Sequence, residues 1–428
     1  MIDLCLTNCK IVPENLECSI GIDNGKIVSI TKIPPKSSEI IDAKGNIILP
    51  GLIDSHVHFR DPGLTYKEDF KTGSEAAAAG GFTTVMDMPN TEPPTSTKKT
   101  FLEKLDIARK KSIVDFALHA GVNDLDDINQ IAECKPASFK IFMDLADNSF
   151  LVETFEYFSN LGQKQIISIH AEDKNIIDHY TKIEKDSMNE DPRTHAKARP
   201  PISEVVAVAT TIAFASYYKQ KIRICHVSTK KALELINQAK TLGCDILSEI
   251  TPHHLFLDDS YFDKCGNFVK INPPLRDNAN KLDISNLKEI DVIGTDHAPH
   301  TLKEKEKNVW EAPPGIPNLD TTLPLLLTQI NNGKITFDEI KRLLCENPAR
   351  FFNLKNKGKI EIGKDADFVI VDMKKEDIIN AEKFKTKAKY SPFEGFSVKG
   401  VPVMTMVRGN VVMENGEVFE NKGRHVYG

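Results

Sequence analysis

The two ends of the chain alternate apolar and polar residues in short runs, and the middle does not. Over residues 1–50 this period-two pattern predicts strands, with a turn at Asn24-Gly25 separating two of them as in a tight hairpin. From about Lys359 the pattern returns in DADFVIVD and VPVMTMVRGNVVMENGEVF, with turns expected at Gly409-Asn410 and Asn415-Gly416. Neither end has enough strands for an independent sheet. The two are therefore expected to join into one small β-sandwich built from both termini.

The middle of the chain predicts eight buried strands: LIDSHVHF, GFTTVMDM, VDFALHAGV, ASFKIFM, QIISIH, IRICHVS, CDILSEI and DVIGTD. Helix-length segments separate most of them, among them Glu68–Ala79, Lys98–Lys111, Val205–Lys219 and Lys230–Leu242. Eight strand–helix units in series predict an α/β fold, a (β/α)8 TIM-like barrel. The expected division is residues 1–51 and 355–428 for the β-domain and 52–354 for the barrel. An open doubly wound sheet would carry a glycine-rich phosphate loop after its first strand. Here that strand leads to His-Val-His.

A length of 428 residues suits a barrel plus a smaller companion. With 40% hydrophobic and 27% charged residues the composition is that of an ordinary globular protein. The net charge of -6 comes without a concentrated basic patch, which argues against a nucleic-acid partner. The start, MIDLCLTNCK, has no basic cluster before an apolar run, and no stretch reaches the ~20 apolar residues of a membrane span. Eight scattered cysteines without a CxxC pair suit a reducing compartment, so a cytoplasmic location is expected.

Residues of metal-ligand type recur where the barrel strands end. His56 and His58 close the first, Lys140 lies in the fourth, His170 ends the fifth, His226 the sixth and Asp296 the eighth. Barrel enzymes draw their catalytic residues from the C-terminal ends of different strands, so these six are expected around one mouth. Two residues apart on a strand, His56 and His58 share a face. Imidazoles with a carboxylate suit zinc. Singly, each histidine reads better as a satisfied core residue, and a lone His-x-His pair is weak evidence. Four histidines and an aspartate at strand ends are hard to reconcile with that. Lys140 is the odd member, since a buried ammonium is costly and repels metals. A lysine that has taken up carbon dioxide as a carbamate becomes an anionic ligand able to bridge two metals. The ordinary alternative is an ion-paired lysine.

These residues carry a resemblance. GLIDSHVHFRDPG at 51–63 and GTDHAPHTLKEK at 294–305 closely resemble the two signature segments of the dihydroorotases. MDMPNT at 86–91, SFKIFM at 138–143, HAED at 170–173, CHVS at 225–228, TPHHLFL at 251–257 and KINPPLR at 270–276 fit the same family. The likeness covers nearly the whole chain, including the GKIEIGKDADFVIVD segment common in the wider amidohydrolase superfamily. It implies zinc-dependent interconversion of N-carbamoyl-L-aspartate and L-dihydroorotate, a step of pyrimidine biosynthesis. It implies two Zn2+ per chain, one on His56, His58 and Asp296 and one on His170 and His226. N6-carboxylysine at Lys140 would bridge them, as in the lysine-bridged branch shared with hydantoinases, with Asp144 in reserve. Substrate contacts are implied at Arg60, Asn90, Asn272 and His300, and at main-chain groups near Pro314-Gly315. Asp296 would serve as general base and then acid. A strand-four loop, Asp144–Phe150, would cover the substrate, with Asn148 and Ser149 facing it. Homo-oligomerisation and association with aspartate transcarbamoylase are left open.

The plainer readings differ by residue. Arg60 could pair with Asp61 in a turn, and Asn90 and Asn272, beside prolines or turn residues, could cap local backbone. His253, His254 and His297 are read as structural. Two rival functions stand beside the first. An allantoinase or hydantoinase shares barrel and metals but has no use for a carboxylate clamp at Arg60. A non-catalytic scaffold would be expected to have lost ligands, and none is missing here.

Overall fold

The computed structural model of the chain describes residues 1–12, 16–161 and 165–428. Five N-terminal strands come first: β1 (Ile2–Ile11), β2 (Leu16–Asp23), β3 (Lys26–Thr31), β4 (Ser37–Asp42) and β5 (Ile47–Pro50). The barrel strands follow: β6 (Leu52–Val57), β7 (Phe82–Asp87), β8 (Asp115–Leu118), β9 (Ala120–Gly121), β10 (Phe139–Phe142), β11 (Ile167–His170), β12 (Ile222–Ile224), β13 (Ile246–Ile250) and β14 (Val292–Ile293). Four C-terminal strands end the chain: β15 (Phe368–Ile378), β16 (Ser397–Val407), β17 (Asn410–Glu414) and β18 (Glu417–Val418).

The two ends join, as their shared pattern predicts. β5 pairs antiparallel with β15, Leu49 opposite Val369 and Ile48 opposite Ile370, so both termini enter one nine-stranded sheet. Its inner face buries Leu4, Leu6, Ile20, Phe368 and Met406 together. The Asn24-Gly25 turn forms as expected, both residues at positive φ (50° and 74°), which suits the right-handed twist of the flanking strands. The later hairpin turns one residue earlier than expected. Val407 pairs with Asn410, which leaves Arg408-Gly409 as the loop, at φ 48° and 76°.

All barrel pairings are parallel. β6, β7 and β8 form one run, and β9 through β14 form the other. The third predicted strand is the joint between them. It breaks at His119, whose N–H donates to Asp87 O at 2.9 Å. Leu118 O then accepts from Ala137 N at 2.8 Å, which carries the ladder to the next strand. The ring closes where Val57 bridges His297 in parallel and His58 N donates to His297 O at 2.8 Å. Buried on both faces, these strands read as continuous apolar runs in the sequence. Phe82, Phe116, Phe139, Ile169 and Ile224 belong to the main buried cluster.

Helix starts follow their caps. The first barrel helix runs Phe70–Ala79, starting two residues later than the pattern suggests, because the Asp69 side chain accepts from Lys71 N and Thr72 N. The helix expected from Val205 begins at Pro201 and runs to Tyr218. Proline at the first helical positions needs no N–H and is preset for the turn.

One buried ion pair holds the catalytic end of β7. Lys104 Nζ lies 2.5 Å from Asp87 Oδ2 and donates to Met88 O at 2.7 Å. Asp87 Oδ1 accepts from Phe59 N at 2.6 Å, which ties it to the segment carrying His58 and Arg60. Lys104→Met leaves the Asp87 charge uncompensated in the interior. It is expected to lower the unfolding free energy by about 3–5 kcal/mol, read as a shift in the urea midpoint. An unchanged midpoint would contradict this role for the pair.

Candidate active site

The sequence-predicted site residues converge at the C-terminal mouth of the barrel. His56, His58, Arg60, Asn90, Lys140, His170, His226, Asn272, Asp296, His300, Pro314 and Gly315 all line one cavity of about 270 Å³, with Asp144 beside them. The placing is less regular than strand-end logic suggests. His58 lies one residue beyond β6, His226 two beyond β12 and Asp296 three beyond β14. His226, Asp296 and Arg60 sit at φ 37°, 46° and 60°. Non-glycine residues rarely adopt this left-handed region, and such strain concentrates at functional sites.

The four imidazoles form a chain around the floor. Ring centroids of His58 and His56 are 5.3 Å apart, His56 and His226 5.4 Å, and His226 and His170 4.7 Å. Three of the rings are oriented from outside. His56 Nδ1 meets Glu249 Oε1 at 2.6 Å, His58 Nδ1 meets Asn90 Oδ1 at 2.6 Å, and His170 Nε2 meets Glu172 Oε2 at 2.9 Å. Such outer partners fix the tautomer of a ligating histidine and turn its other nitrogen inward. Gly294 makes room for this, since a Cβ there would stand 2.6 Å from Glu249 Oε2. Burial holds the His56 and His226 pKa values well below the usual range, so both rings are neutral and able to donate a lone pair.

The donor set fits a metal. His56, His58 and Asp296 bring ligand atoms within 4.8 Å of one another. His58 Nε2 lies 2.9 Å from Asp296 Oδ1 while its Nδ1 faces the Asn90 oxygen. A neutral ring has one N–H, so it can satisfy only one of these oxygens, and a cation between Nε2 and the carboxylate satisfies the other. His226 Nδ1 is buried without a hydrogen-bond partner among the described residues. Burial alone would raise the Asp296 pKa, but His56 and the hydrogen bond from His58 hold it below the ordinary carboxylate range. Lys140 is 1% exposed, 3.1 Å from Cys225 Sγ and over the Phe142 ring at 5.0 Å. Among the described residues it forms no ion pair.

Residues 47–412 match the Amidohydrolase family. The dihydroorotase of Methanothermobacter thermautotrophicus is 48% identical over 426 residues, covering 100% of this chain and 97% of the relative. The dihydroorotase of Methanosphaera stadtmanae is 47% identical over 433 residues, with 100% of both chains covered. The chain belongs to the dihydroorotase branch of the amidohydrolase family. Among solved structures, L-hydantoinase from Arthrobacter aurescens matches this dihydroorotase-family chain with a TM-score of 0.94 at 33% identity, covering 99% of each.

Several expectations change in this dihydroorotase-family site. Arg60 is not part of β6, which ends at Val57, and it lines the cavity at a positive φ. Nor does it pair with Asp61, which binds Lys111 Nζ at 2.8 Å. Asp144 pairs with Arg199 Nη2 at 2.8 Å and stands 3.7 Å from His170 Nε2. The expected loop Asp144–Phe150 is helical from Asn148, with Asp147 as N-cap. Ser149 Oγ donates to that cap at 2.8 Å, which commits it locally, while Leu145 is the residue left on the cavity rim, 76% exposed. His254 is held by Thr251 Oγ1 at 2.7 Å and Pro273 O at 2.9 Å, His253 by Asn318 at 2.9 Å, and His297 faces Glu68 at 3.4 Å. None of the three lines the cavity.

The sequence reading passed over the outer layer. Glu249 and Arg223 are fully buried inside the barrel, with Arg223 Nη1 donating to Ser55 O at 2.9 Å. A charged residue inside an apolar strand run, as in ILSEI or IRI, was the available signal. Glu172 lies two residues beyond His170 and also receives Arg199 Nη1.

Proposed function

We propose that this chain performs the dihydroorotase reaction, closing N-carbamoyl-L-aspartate to L-dihydroorotate and reopening it, with two zinc ions and a carboxylated Lys140. One observation carries the substrate class. Arg60 is 7% exposed and forms no ion pair among the described residues, and its Nε has no partner. A buried, uncompensated guanidinium beside the ligand set calls for an anion from outside. Dihydroorotate keeps one carboxylate outside its reacting amide, and a guanidinium can bind it through two parallel hydrogen bonds. An unsubstituted hydantoin has no such group.

His56, His58 and Asp296 would hold one zinc, and His170 and His226 the other, with the Lys140 carbamate between them. Bound there, the metals supply Lewis acidity and water activated near neutral pH. The chain's own groups do the rest. Arg60 and His300 orient the ring by its carboxylate. The Asp296 carboxylate takes a proton from the attacking water and delivers it to the ring nitrogen as the C–N bond breaks. The depressed pKa of Asp296 keeps it ionised. Ring closure is the reverse and consumes a carboxylate and a proton, so acid favours dihydroorotate and alkali favours opening. Gly315 belongs to the wall here because a Cβ would lie 2.4 Å from Ala298 O and 3.1 Å from His300 Nε2.

Arg60→Met is expected to cut kcat/KM on dihydroorotate by at least about tenfold, since a charge-assisted pair contributes roughly 1.5–3 kcal/mol. Zinc content should hold, and turnover of an uncharged cyclic imide should fall far less. Equal loss on both substrates with metals retained would make Arg60 a structural residue and leave the substrate class without its support.

A further inference from the structure

Three groups converge on His300. Lys67 Nζ lies 3.2 Å from its Nδ1 and 3.0 Å from Glu304 Oε1. Pro314 O lies 2.9 Å from its Nε2, and Arg60 Nη2 lies 3.2 Å from the same nitrogen. Lys67 and Arg60 can only donate, and the carbonyl can only accept. Burial, and then Arg60 and Lys67, hold the His300 pKa far below its usual value, so the ring is neutral with a single N–H. Placing that hydrogen on Nε2 satisfies both Lys67 and Pro314. Placing it on Nδ1 sets it against the Lys67 ammonium and sets the Nε2 lone pair against the Pro314 carbonyl, with Arg60 alone satisfied.

We infer that Lys67 is a positioning residue for the substrate carboxylate: by donating to Nδ1 it fixes His300 in the Nε2–H tautomer. Two consequences follow. Arg60 cannot bond Nε2, so its guanidinium stays free for an external anion. Nε2–H, committed to Pro314 O, turns no lone pair toward that anion. Without Lys67 the other tautomer becomes accessible, and His300 then takes up Arg60 and turns a lone pair toward the anion. Glu304, capped by Thr301 and paired to Lys67, holds the lysine in place.

The inference rests on the dihydroorotase reading above, and its test separates the two. In enzyme labelled with nitrogen-15 at histidine, the His300 signals are assigned by their loss in His300→Gln. The wild type and Lys67→Arg are expected to show protonated Nε2. Lys67→Met is expected to shift toward protonated Nδ1, and its KM for dihydroorotate should rise about tenfold, the loss of one charge-assisted hydrogen bond. kcat should fall by less than KM rises, and efficiency on hydantoin should fall by less than on dihydroorotate. An unchanged His300 tautomer in Lys67→Met, an unchanged KM for dihydroorotate, or a Lys67→Arg variant that behaves like Lys67→Met would each overturn it. The nitrogen spectra need no substrate, so they decide on Lys67 even where the turnover assay decides against dihydroorotate.

Discussion

Asp296→Ala is expected to abolish turnover while the barrel stays folded. The substitution removes a carboxylate that touches both ends of the chemistry. Its Oδ1 lies 2.9 Å from His58 Nε2 and 3.4 Å from His56 Nε2, so the candidate metal position would lose a ligand. In the proposed reaction the same carboxylate would also accept the proton of the attacking water and pass it to the leaving nitrogen. General acid–base groups contribute about 10²–10⁴-fold, and with a ligand lost as well the effect should reach the upper end of that range or exceed it. Folding should survive because the closing contact at this point, His58 N to His297 O, is made by backbone atoms. Circular dichroism and the thermal transition check the fold, and the steady-state assay reads the loss. A change under tenfold would move the proton transfer elsewhere, with His300 the next group in the cavity.

Lys140→Ala should be nearly as damaging, for a different reason. As an ammonium, Lys140 lies in an awkward place, 1% exposed and without an ion pair among the described residues, at the wall of the metal cavity. As a carbamate it is an anion with two oxygens at the same spot, suited to bridge. The variant should therefore lose activity and much of its zinc together. A short carboxylic acid added to the medium should restore part of both by occupying the space of the missing carbamate. Zinc content by elemental analysis, with and without the acid, reads the effect separately from turnover. Full activity in Lys140→Ala would remove the lysine bridge and turn attention to Asp144, which is tied to Arg199 instead.

Much of this was legible in the chain because the signals were periodic or local. Two histidines two apart at the end of a buried strand declare a shared face, and eight apolar runs separated by helices declare the barrel. The joining of the ends was readable because neither could form a sheet by itself. What escaped depends on geometry that periodicity does not carry. Arg60 reaches the cavity through a positive φ after β6 has ended, a placement that strand periodicity does not carry. The turn at Arg408-Gly409 was displaced because a register pairing, Val407 with Asn410, decides it. Glu249 and Glu172 meet His56 and His170, partners that lie 193 and 2 residues away in sequence. The segment after β10 turns helical at Asn148 because the Asp147 side chain caps it, accepting from Phe150 N.

A parallel assay on three cyclic amides decides the substrate. Purified enzyme, loaded with zinc in the presence of bicarbonate, is given dihydroorotate, allantoin and hydantoin at matched concentrations, with zinc counted on the same sample. Close to two zinc ions per chain are expected, with kcat/KM for dihydroorotate well above both neutral compounds. Turnover of hydantoin or allantoin equal to or faster than dihydroorotate, in protein carrying its metals, would contradict the proposed substrate.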